Sequence, residues 1–380
     1  MTTYLEPGAT IGIIGAGQLG KMMAQSAQKY GYQVTTYDPN PTSCAFAVSN
    51  WHQVGSFDDE TALIEFAQKV DVITYEFENI NANILAKLDR EAHLPQGTFL
   101  LLKSQDRILE KNWLKEIGIP TAAFWPVNTW QELEEAIEAS GFPAILKTTR
   151  FGYDGKGQIK LDSLKQLQEN QVVIEAMLAG GCVLEEFCPF VAEVSVMVVR
   201  DQLGKVSTFP LSQNVHKEGI LFTSTAPAAV DSEVEEAIKQ YADQVAAKGQ
   251  LVGVMGIEFF IMADGSVVVN ELAPRPHNSG HYTIEACNVS QFDQHILAVV
   301  GRPLSQIHQF QPALMINLLG QDLSLVPSIN QLYPDANVHL YQKGEAKTNR
   351  KMGHITCLGD TLSEYEPLLE MIQKERDKMD

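Results

Sequence analysis

No apolar run in this sequence approaches the roughly 18 residues that a membrane-crossing helix needs, so none is expected. Cations are scarce: 28 Lys and Arg stand against 47 Asp and Glu, a formal net charge of −19. That balance argues against a duplex or RNA partner, because phosphate backbones are held by clustered Lys and Arg. It leaves an anionic small molecule open, since a few local cations can override the global field. The five cysteines, Cys44, Cys182, Cys188, Cys287 and Cys357, are scattered and show no C-x-x-C spacing. They exclude a zinc-ribbon type of site and read as reduced thiols of a cytoplasmic protein. The opening MTTYLEPGAT has neither a basic n-region nor an apolar h-region, so a secretory signal is not expected. No internal repeat and no low-complexity segment is visible.

What is present is an ordinary globular composition, 45% hydrophobic and 20% charged, in 380 residues, a length that implies two or three domains. The first hundred residues alternate strand and helix: strands at 9–15, 33–37 and 70–75, helices at 18–30 and 59–69. Alternation of that kind builds a parallel sheet with helices on its faces. A helix is predicted over 104–117, ended by Gly118 and Pro120. From about Thr121 the pattern becomes α+β, with strands at 144–148, 183–187, 193–199, 206–210 and 220–225 and helices at 130–139 and 232–248. Short strands and a final helix over 362–374 close the chain.

The most informative pair of residues is Glu258 and Glu271. GIEFFIM (256–262) and SVVVNEL (266–272) read as a hairpin joined through Asp264-Gly265, the strongest local signal for a two-residue turn. With that turn, Ala263 faces Ser266 and Glu258 faces Glu271. Opposed like charges destabilise a sheet, and a divalent cation held against substrate phosphates is a natural compensation. Two unrelated glutamates on a solvated face are the plainer reading.

Gly15-Ala16-Gly17-Gln18-Leu19-Gly20 follows a predicted strand and opens a predicted helix, with Asp38 at the end of the next strand. This is the context of a dinucleotide fingerprint, so a nicotinamide dehydrogenase competes. The physics alone supplies an anion site at a helix N-terminus, or simply a tight turn that needs glycine. A second glycine-rich loop, Phe151-Gly152-Tyr153-Asp154-Gly155-Lys156-Gly157-Gln158, is not a Walker A motif, because glycine rather than Ser or Thr follows Lys156. It suits a lid over polyphosphate or a flexible surface loop. Lys147 and Arg107, each bland alone, add the fixed positive charge that phosphoryl transfer uses. Glu185-Glu186-Phe187-Cys188, with Glu193 beyond, could offer backbone groups to an adenine edge; an edge strand guarded by charge is the preferred reading of that segment by itself. Asn270-Glu271-Leu272-Ala273-Pro274-Arg275-Pro276-His277-Asn278-Ser279-Gly280-His281 concentrates polar groups after a metal-type glutamate, as functional loops do. Its histidines lack the helical i, i+4 spacing of a zinc pair.

Taken in order, the glycine turn, Asp106-Arg107, Lys147, GYDGKGQ, EEF with Glu193, GIEFF and NELAPRPHNSGH resemble the ATP-grasp superfamily. With YEFEN (75–79) and YQKGEAKTNRKMGHI (341–355), the chain resembles more narrowly the 5-(carboxyamino)imidazole ribonucleotide synthetases, biotin-independent carboxylating enzymes of purine biosynthesis. It departs from their usual pattern at Phe151 and Ala16, where glycine is common, without losing a charged group.

The resemblance implies an ATP-grasp fold of α/β and α+β character, with a Rossmann-like parallel-sheet domain over 1–105. An ATP-grasp body over 106–303, with a lid at about 121–187, and a small C-terminal domain over 304–380 would complete it. It implies ATP and Mg²⁺ as cofactors, no biotin, and aminoimidazole ribonucleotide and bicarbonate as substrates, with no nucleic acid or membrane partner and a homodimer by analogy. Arg107 and Lys147 would contact the ATP phosphates under Gly152, Tyr153, Asp154, Gly155, Lys156, Gly157 and Gln158. Glu185, Glu186, Phe187 and Cys188 would line the adenine pocket, Glu193 would hold the ribose, and His216 and Asn270 would also touch the nucleotide. Glu258 and Glu271 would hold the metal. Gln18, Leu19, Glu76, Tyr153, Arg275, His277 and Asn278 would surround the ribonucleotide, whose phosphate would fall to Lys343 and Arg350 and to the first glycine turn. Asp154, Lys147 and Arg275 would be the catalytic residues, Asp154 taking the proton of the acceptor amine. A formate-dependent glycinamide ribonucleotide transformylase, a biotin carboxylase and a noncatalytic nucleotide-binding regulator are the other readings.

Overall fold

Short runs of β-branched and apolar residues build the first sheet, buried on both faces except along the largely exposed edge run 51–54. Strands β1 (Thr10–Ile14), β2 (Gln33–Asp38), β3 (Trp51–Val54) and β4 (Val72–Tyr75) are parallel in the order β3-β2-β1-β4. The structure is a computed structural model and describes residues 4–150, 152 and 156–378. Helix Gln18–Lys29 follows β1 and buries Leu19, Met22, Met23 and Ala27. Their spacing makes one apolar stripe, which meets Phe292, Ile296 and Val299 of helix Gln291–Val299 in a single core cluster. The first sheet is thereby docked onto the body of the protein.

A second, antiparallel sheet contains β5 (Phe124–Val127), β6 (Ala144–Thr148), β7 (Gln158–Leu161) and β8 (Cys182–Glu186) in the order β5-β8-β6-β7. The acid strand β8 is therefore internal. It is not a charge-guarded edge, and its acids are kept for another reason.

The third sheet is nine-stranded. β9 (Ala192–Arg200), β10 (Val206–Thr208), β11 (Ser212–Lys217), β12 (Ile220–Ala226), β13 (Gly253–Ile261), β14 (Val267–Ala273), β15 (Ala313–Leu319), β16 (Asn337–Leu340) and β17 (Lys351–Leu358) make it up. Its order is β14-β13-β9-β11-β12-β15-β17-β16, with β10 against β9. The sheet continues unbroken into the C-terminal segment, because β12 pairs with β15. Helix Ser232–Lys248 covers one face, packing Val234, Ile238, Ala242 and Val245 on Val194, Val196, Ile257 and Phe259. At the far end Arg376 donates to the fully buried Asp322 at 2.6 Å and to the Asn317 carbonyl at 2.8 Å, pinning helix Glu366–Arg376.

Three expectations are corrected. The helix predicted over 104–117 is two, Phe99–Ser104 and Arg107–Glu116. Asp106 breaks it by accepting from Ile108 N and Leu109 N as an N-cap. The helix predicted over 362–374 begins as a 3₁₀ turn, Leu362–Tyr365, before the α-helix with Pro367 in its first turn. The hairpin loop has three residues, Ala263-Asp264-Gly265, with Gly265 at φ +82° and Met262 N bonded to Ser266 O at 2.8 Å. That moves the register by one near the turn, to Ile261 opposite Val267. A bulge at Asn270 moves it back, and Glu258 does face Glu271. Two deviations from the expected hairpin cancel at the pair that matters.

Candidate active site

The opposed glutamates lie in a crowd of acids. Glu258 is 9% exposed, and burial first, then Glu271 and Glu193, push its carboxyl up to about 8. The Asn270 bulge turns that amide toward Glu258, with Nδ2 donating to Oε2 at 3.3 Å. Helix Arg107–Glu116 delivers Glu110, 3% exposed, whose Oε2 accepts from Leu272 N at 3.3 Å. Burial and then Glu271 raise Glu110 to about 8 as well. Just beyond β4, Glu78 is raised by burial but paired with Arg275. Glu271 thus acts on three other carboxyls, and a cleft lined by Glu78, Arg107, Glu110, Gly152 and Glu271 opens beside it. Without a cation this is an unfavourable concentration of negative charge.

The acids set a pH dependence. Glu258 and Glu110 bind protons more tightly folded, at about 8, than at the ordinary 4.5. Their stabilisation is complete below 4.5 and lost as pH rises through 8. His281 and His295, pushed by burial down to about 3 from 6.5, act oppositely but only below 6.5. The melting temperature of the ligand-free protein is therefore expected to fall from about pH 6.5 to about pH 9. A midpoint rising over that interval in scanning calorimetry would refute the assignment.

Positive charge faces the acids. Lys147, next to last in β6, is 8% exposed and donates to Glu185 Oε2 at 2.8 Å. Lys111, 2% exposed, reaches Glu185 Oε1 at 3.2 Å. Burial pulls the Glu185 carboxyl up, yet Lys147 and then Lys111 outweigh it and hold it at about 2. This explains an acid on an internal strand: Glu185 is the counter-ion of two buried lysines. Its neighbour Glu186 is exposed, Lys160 lies 4.9 Å over the Phe187 ring, and Cys188 is a half-buried free thiol. Arg107 donates to the Gly152 carbonyl at 3.3 Å, and Gln158 sits opposite Lys147. Gly157, at φ +74°, returns its carbonyl to Thr148 N at 2.8 Å, with Lys156 exposed beside it. Tyr153, Asp154 and Gly155 lie outside the described residues.

At the end of the first sheet, the glycine turn is already filled. Glu76 accepts from Gly17 N and, at 2.6 Å, from Gly20 N, and Asp38 accepts from Ala16 N at 2.8 Å. The donors expected to meet a substrate phosphate, or a dinucleotide, hold the protein's own carboxylates instead. Gln18 and Leu19 follow on the first turn of the helix. Gly15, at φ +100°, has Glu76 Cγ 2.4 Å from where a Cβ would stand. Gly15→Ala is expected to expel Glu76 and cost about 2 kcal/mol or more, read as a lowered urea midpoint. An unchanged midpoint would mean that Glu76 is not held as described.

Lys343 and Arg350 approach the same place from the C-terminal segment. Burial, then Arg350, lower the Lys343 ammonium, while Cys44 and Glu76 raise it, so these groups share one neighbourhood. Lys21 is tied to it through the Tyr341 carbonyl at 3.1 Å. His277, bonded through Nδ1 to Ser279 at 2.8 Å, has Nε2 3.8 Å from Glu258 Oε1, and burial keeps it neutral. Asn278 Nδ2 is buried without a hydrogen-bond partner among the described residues. Glu193, on β9, lies 3.2 Å from His216 Nδ1 on β11.

Lys111, Glu110 and Glu78 were not singled out from sequence. A signal was there for two of them: Arg107, Glu110 and Lys111 are spaced i, i+3, i+4 and share one helix face.

Comparison with known proteins gives a consistent neighbourhood. Residues 8–101 match the ribonucleotide synthetase preATP-grasp domain, 112–292 the ATP-grasp domain, and 313–367 the phosphoribosylaminoimidazole carboxylase C-terminal domain. The N5-carboxyaminoimidazole ribonucleotide synthase of Bacillus subtilis (strain 168) is 44% identical over 361 residues, 95% of this chain and 94% of that one. The N5-carboxyaminoimidazole synthetase of Staphylococcus aureus, solved with ADP, superposes with a TM-score of 0.93 at 43% identity, covering 97% of this chain and 98% of that one. The Aspergillus clavatus N5-carboxyaminoimidazole synthase, solved with ADP and 5-aminoimidazole ribonucleotide, gives 0.89 at 31% identity, covering 97% and 99%.

Proposed function

The chain belongs to the N5-carboxyaminoimidazole ribonucleotide synthase family, and we propose that the hairpin acids, the lysine pair and the Glu76 turn form its single active site. The protein is an ATP-grasp ligase that carboxylates 5-aminoimidazole ribonucleotide on nitrogen, consuming ATP and bicarbonate in purine biosynthesis. The observation that carries the residue assignment is the opposed Glu258–Glu271 pair beside Arg107, Glu258 buried and Glu271 half-buried at the cleft. An all-oxygen donor set of opposed carboxylates fits magnesium. Bound there, magnesium would neutralise charge on the transferring phosphoryl group.

In the reaction a bicarbonate oxygen attacks the γ-phosphorus, the bond to the ADP oxygen breaks, and carboxyphosphate forms. Arg107 and Lys147 hold the phosphates in line. Gly152–Gln158 excludes water, which would otherwise consume the intermediate. Carboxyphosphate divides into carbon dioxide and phosphate. The ribonucleotide amine then forms the new C–N bond and gives its proton to Asp154. Arg275, braced on Glu78, with Gln18, Leu19, Glu76, Tyr153, His277 and Asn278 positions the ribonucleotide, and Lys343 and Arg350 take its phosphate. Glu193 and His216 hold the nucleoside, Asn270 orients Glu258, and the 185–188 segment borders the adenine.

Division at 1–105, 106–303 and 304–380 fits these roles, each part adding one wall. Five free cysteines, four of them buried, support a cytoplasmic setting. No helix among the described residues is long and apolar enough to cross a membrane. A homodimer is proposed from family analogy, and light scattering would decide it.

ADP release with and without 5-aminoimidazole ribonucleotide tests the function. Strong dependence on that substrate and on bicarbonate, not formate, is expected; release indifferent to both would overturn it. Asp154→Asn is expected to bind MgATP normally while losing ribonucleotide-dependent turnover by about 10²-fold or more. Full activity would remove Asp154 from the proton-accepting role.

A further inference from the structure

Three neighbouring strands of the large sheet, β13, β9 and β11, contribute Glu258, Glu193 and His216. One ligand atom from each, two carboxylate oxygens and an imidazole nitrogen, lies within 4.8 Å of the others. Among the described residues no other group of three His, Cys, Asp or Glu side chains meets that spacing. His216 Nδ1 is buried and makes no well-angled hydrogen bond, although Glu193 Oε2 is 3.2 Å away. An imidazole nitrogen and two carboxylate oxygens converging at these distances form a mixed donor set that a shared cation satisfies. The β-bulge between Val215 and His216 breaks the regular pairing of β11 with β12 just at this imidazole, and bulges commonly re-aim a side chain.

We propose that the nucleotide-free protein carries here a second metal seat, selective for a first-row transition ion such as Co²⁺, Mn²⁺ or Zn²⁺ over Mg²⁺. Imidazole nitrogen suits those ions, whereas magnesium prefers all-oxygen ligands. Glu258 belongs to both seats. With Glu271 it offers oxygens only; with Glu193 and His216 it offers a mixed nitrogen and oxygen set. A transition ion in the mixed seat withdraws Glu258 from its partnership with Glu271. On the reading of Glu193 and His216 as nucleoside-binding residues given above, it also occupies the place of the nucleotide. Such an ion would then compete with ATP.

The test uses the full-length, nucleotide-free protein titrated with CoCl₂ and followed by visible d–d absorption, with melting curves to show that each variant is folded. One Co²⁺ per chain is expected, displaced by ZnCl₂ and not by millimolar MgCl₂. His216→Ala and Glu193→Gln are each expected to weaken Co²⁺ binding about tenfold or more, while Glu271→Gln, which removes no ligand atom of this seat and relieves the charge opposite Glu258, is expected not to weaken it. Binding that survives in folded His216→Ala, or no binding to the wild type, overturns the site. Adding ADP separates this seat from the nucleotide assignment. Loss of the bound-Co²⁺ spectrum supports both. A His216-dependent spectrum that ADP does not disturb supports the metal seat and overturns the placement of the nucleotide on Glu193 and His216.

Discussion

Glu271→Gln is expected to reduce ADP release with ribonucleotide and bicarbonate by about 10³-fold, while making the ligand-free protein more stable by about 1 kcal/mol. The two effects have one origin. Glu271 raises Glu258 and Glu110, which are buried, and the half-buried Glu78, three carboxyls from three separate segments of the chain. Removing its charge relieves a repulsion that only a cation and a polyphosphate can use. The carboxyl of Glu258 should then titrate below its present value of about 8, and the alkaline fall in melting temperature should flatten. Activity is read by coupled ADP release, stability by thermal melting, and the titration by ¹³C NMR of labelled glutamate. A variant with near-normal turnover would remove Glu271 from the phosphoryl-transfer site. A variant less stable than wild type would show that the acids are compensated within the protein.

Lys111→Met should have the second-largest effect, at a residue no motif marks. Lys111 is 2% exposed and Glu185 4% exposed. Taking one cation from a buried ion cluster leaves charge uncompensated, at a cost of about 3 kcal/mol. Lys147 must then neutralise Glu185 alone, so it is drawn from the phosphates, and the KM for MgATP is expected to rise about tenfold. A pH signature separates this from simple packing loss. In the wild type Glu185 sits at about 2 against an ordinary 4.5. Its stabilisation is present above 4.5 and lost as pH falls toward 2. In Lys111→Met the folded carboxyl moves back toward 4.5, so that acid loss should be smaller and should end at a higher pH. Wild-type stability together with an unchanged KM would exclude the counter-ion role.

The hairpin shows how far sequence reasoning reaches. Asp264-Gly265 and the apolar alternation around it identify the strands, because turn chemistry and period 2 are local properties. The loop length and the bulge were not legible, since both depend on how β13 is gripped by β9 along its whole length. Strand β11, SQNVHK, has no apolar alternation to mark it in the sequence. It forms because β9 and β12 on either side leave their backbone groups to be paired. Helix Arg107–Glu116 was expected to run on from residue 104, and the cap at Asp106 that separates it from its predecessor aims Arg107, Glu110 and Lys111 together.

The first glycine turn makes the same point chemically. Its spacing and its place between strand and helix are readable in one dimension, and they promise an anion. Glu76, 59 residues beyond Gly17, supplies that anion from within the protein.

By itself the sequence determined the residue types and their local geometry: a parallel first sheet, two glycine turns, a hairpin of acids, and the ordered motifs that mark the family. These follow from periodicity and turn preference, which act over a few residues. Which charge neutralises which was decided only by the tertiary structure. Glu185 with two lysines, Glu76 in the glycine turn, and Glu271 facing three carboxyls are contacts between elements distant in the chain. Their energies depend on burial and on distances of a few ångströms, which only the packing of the three sheets sets.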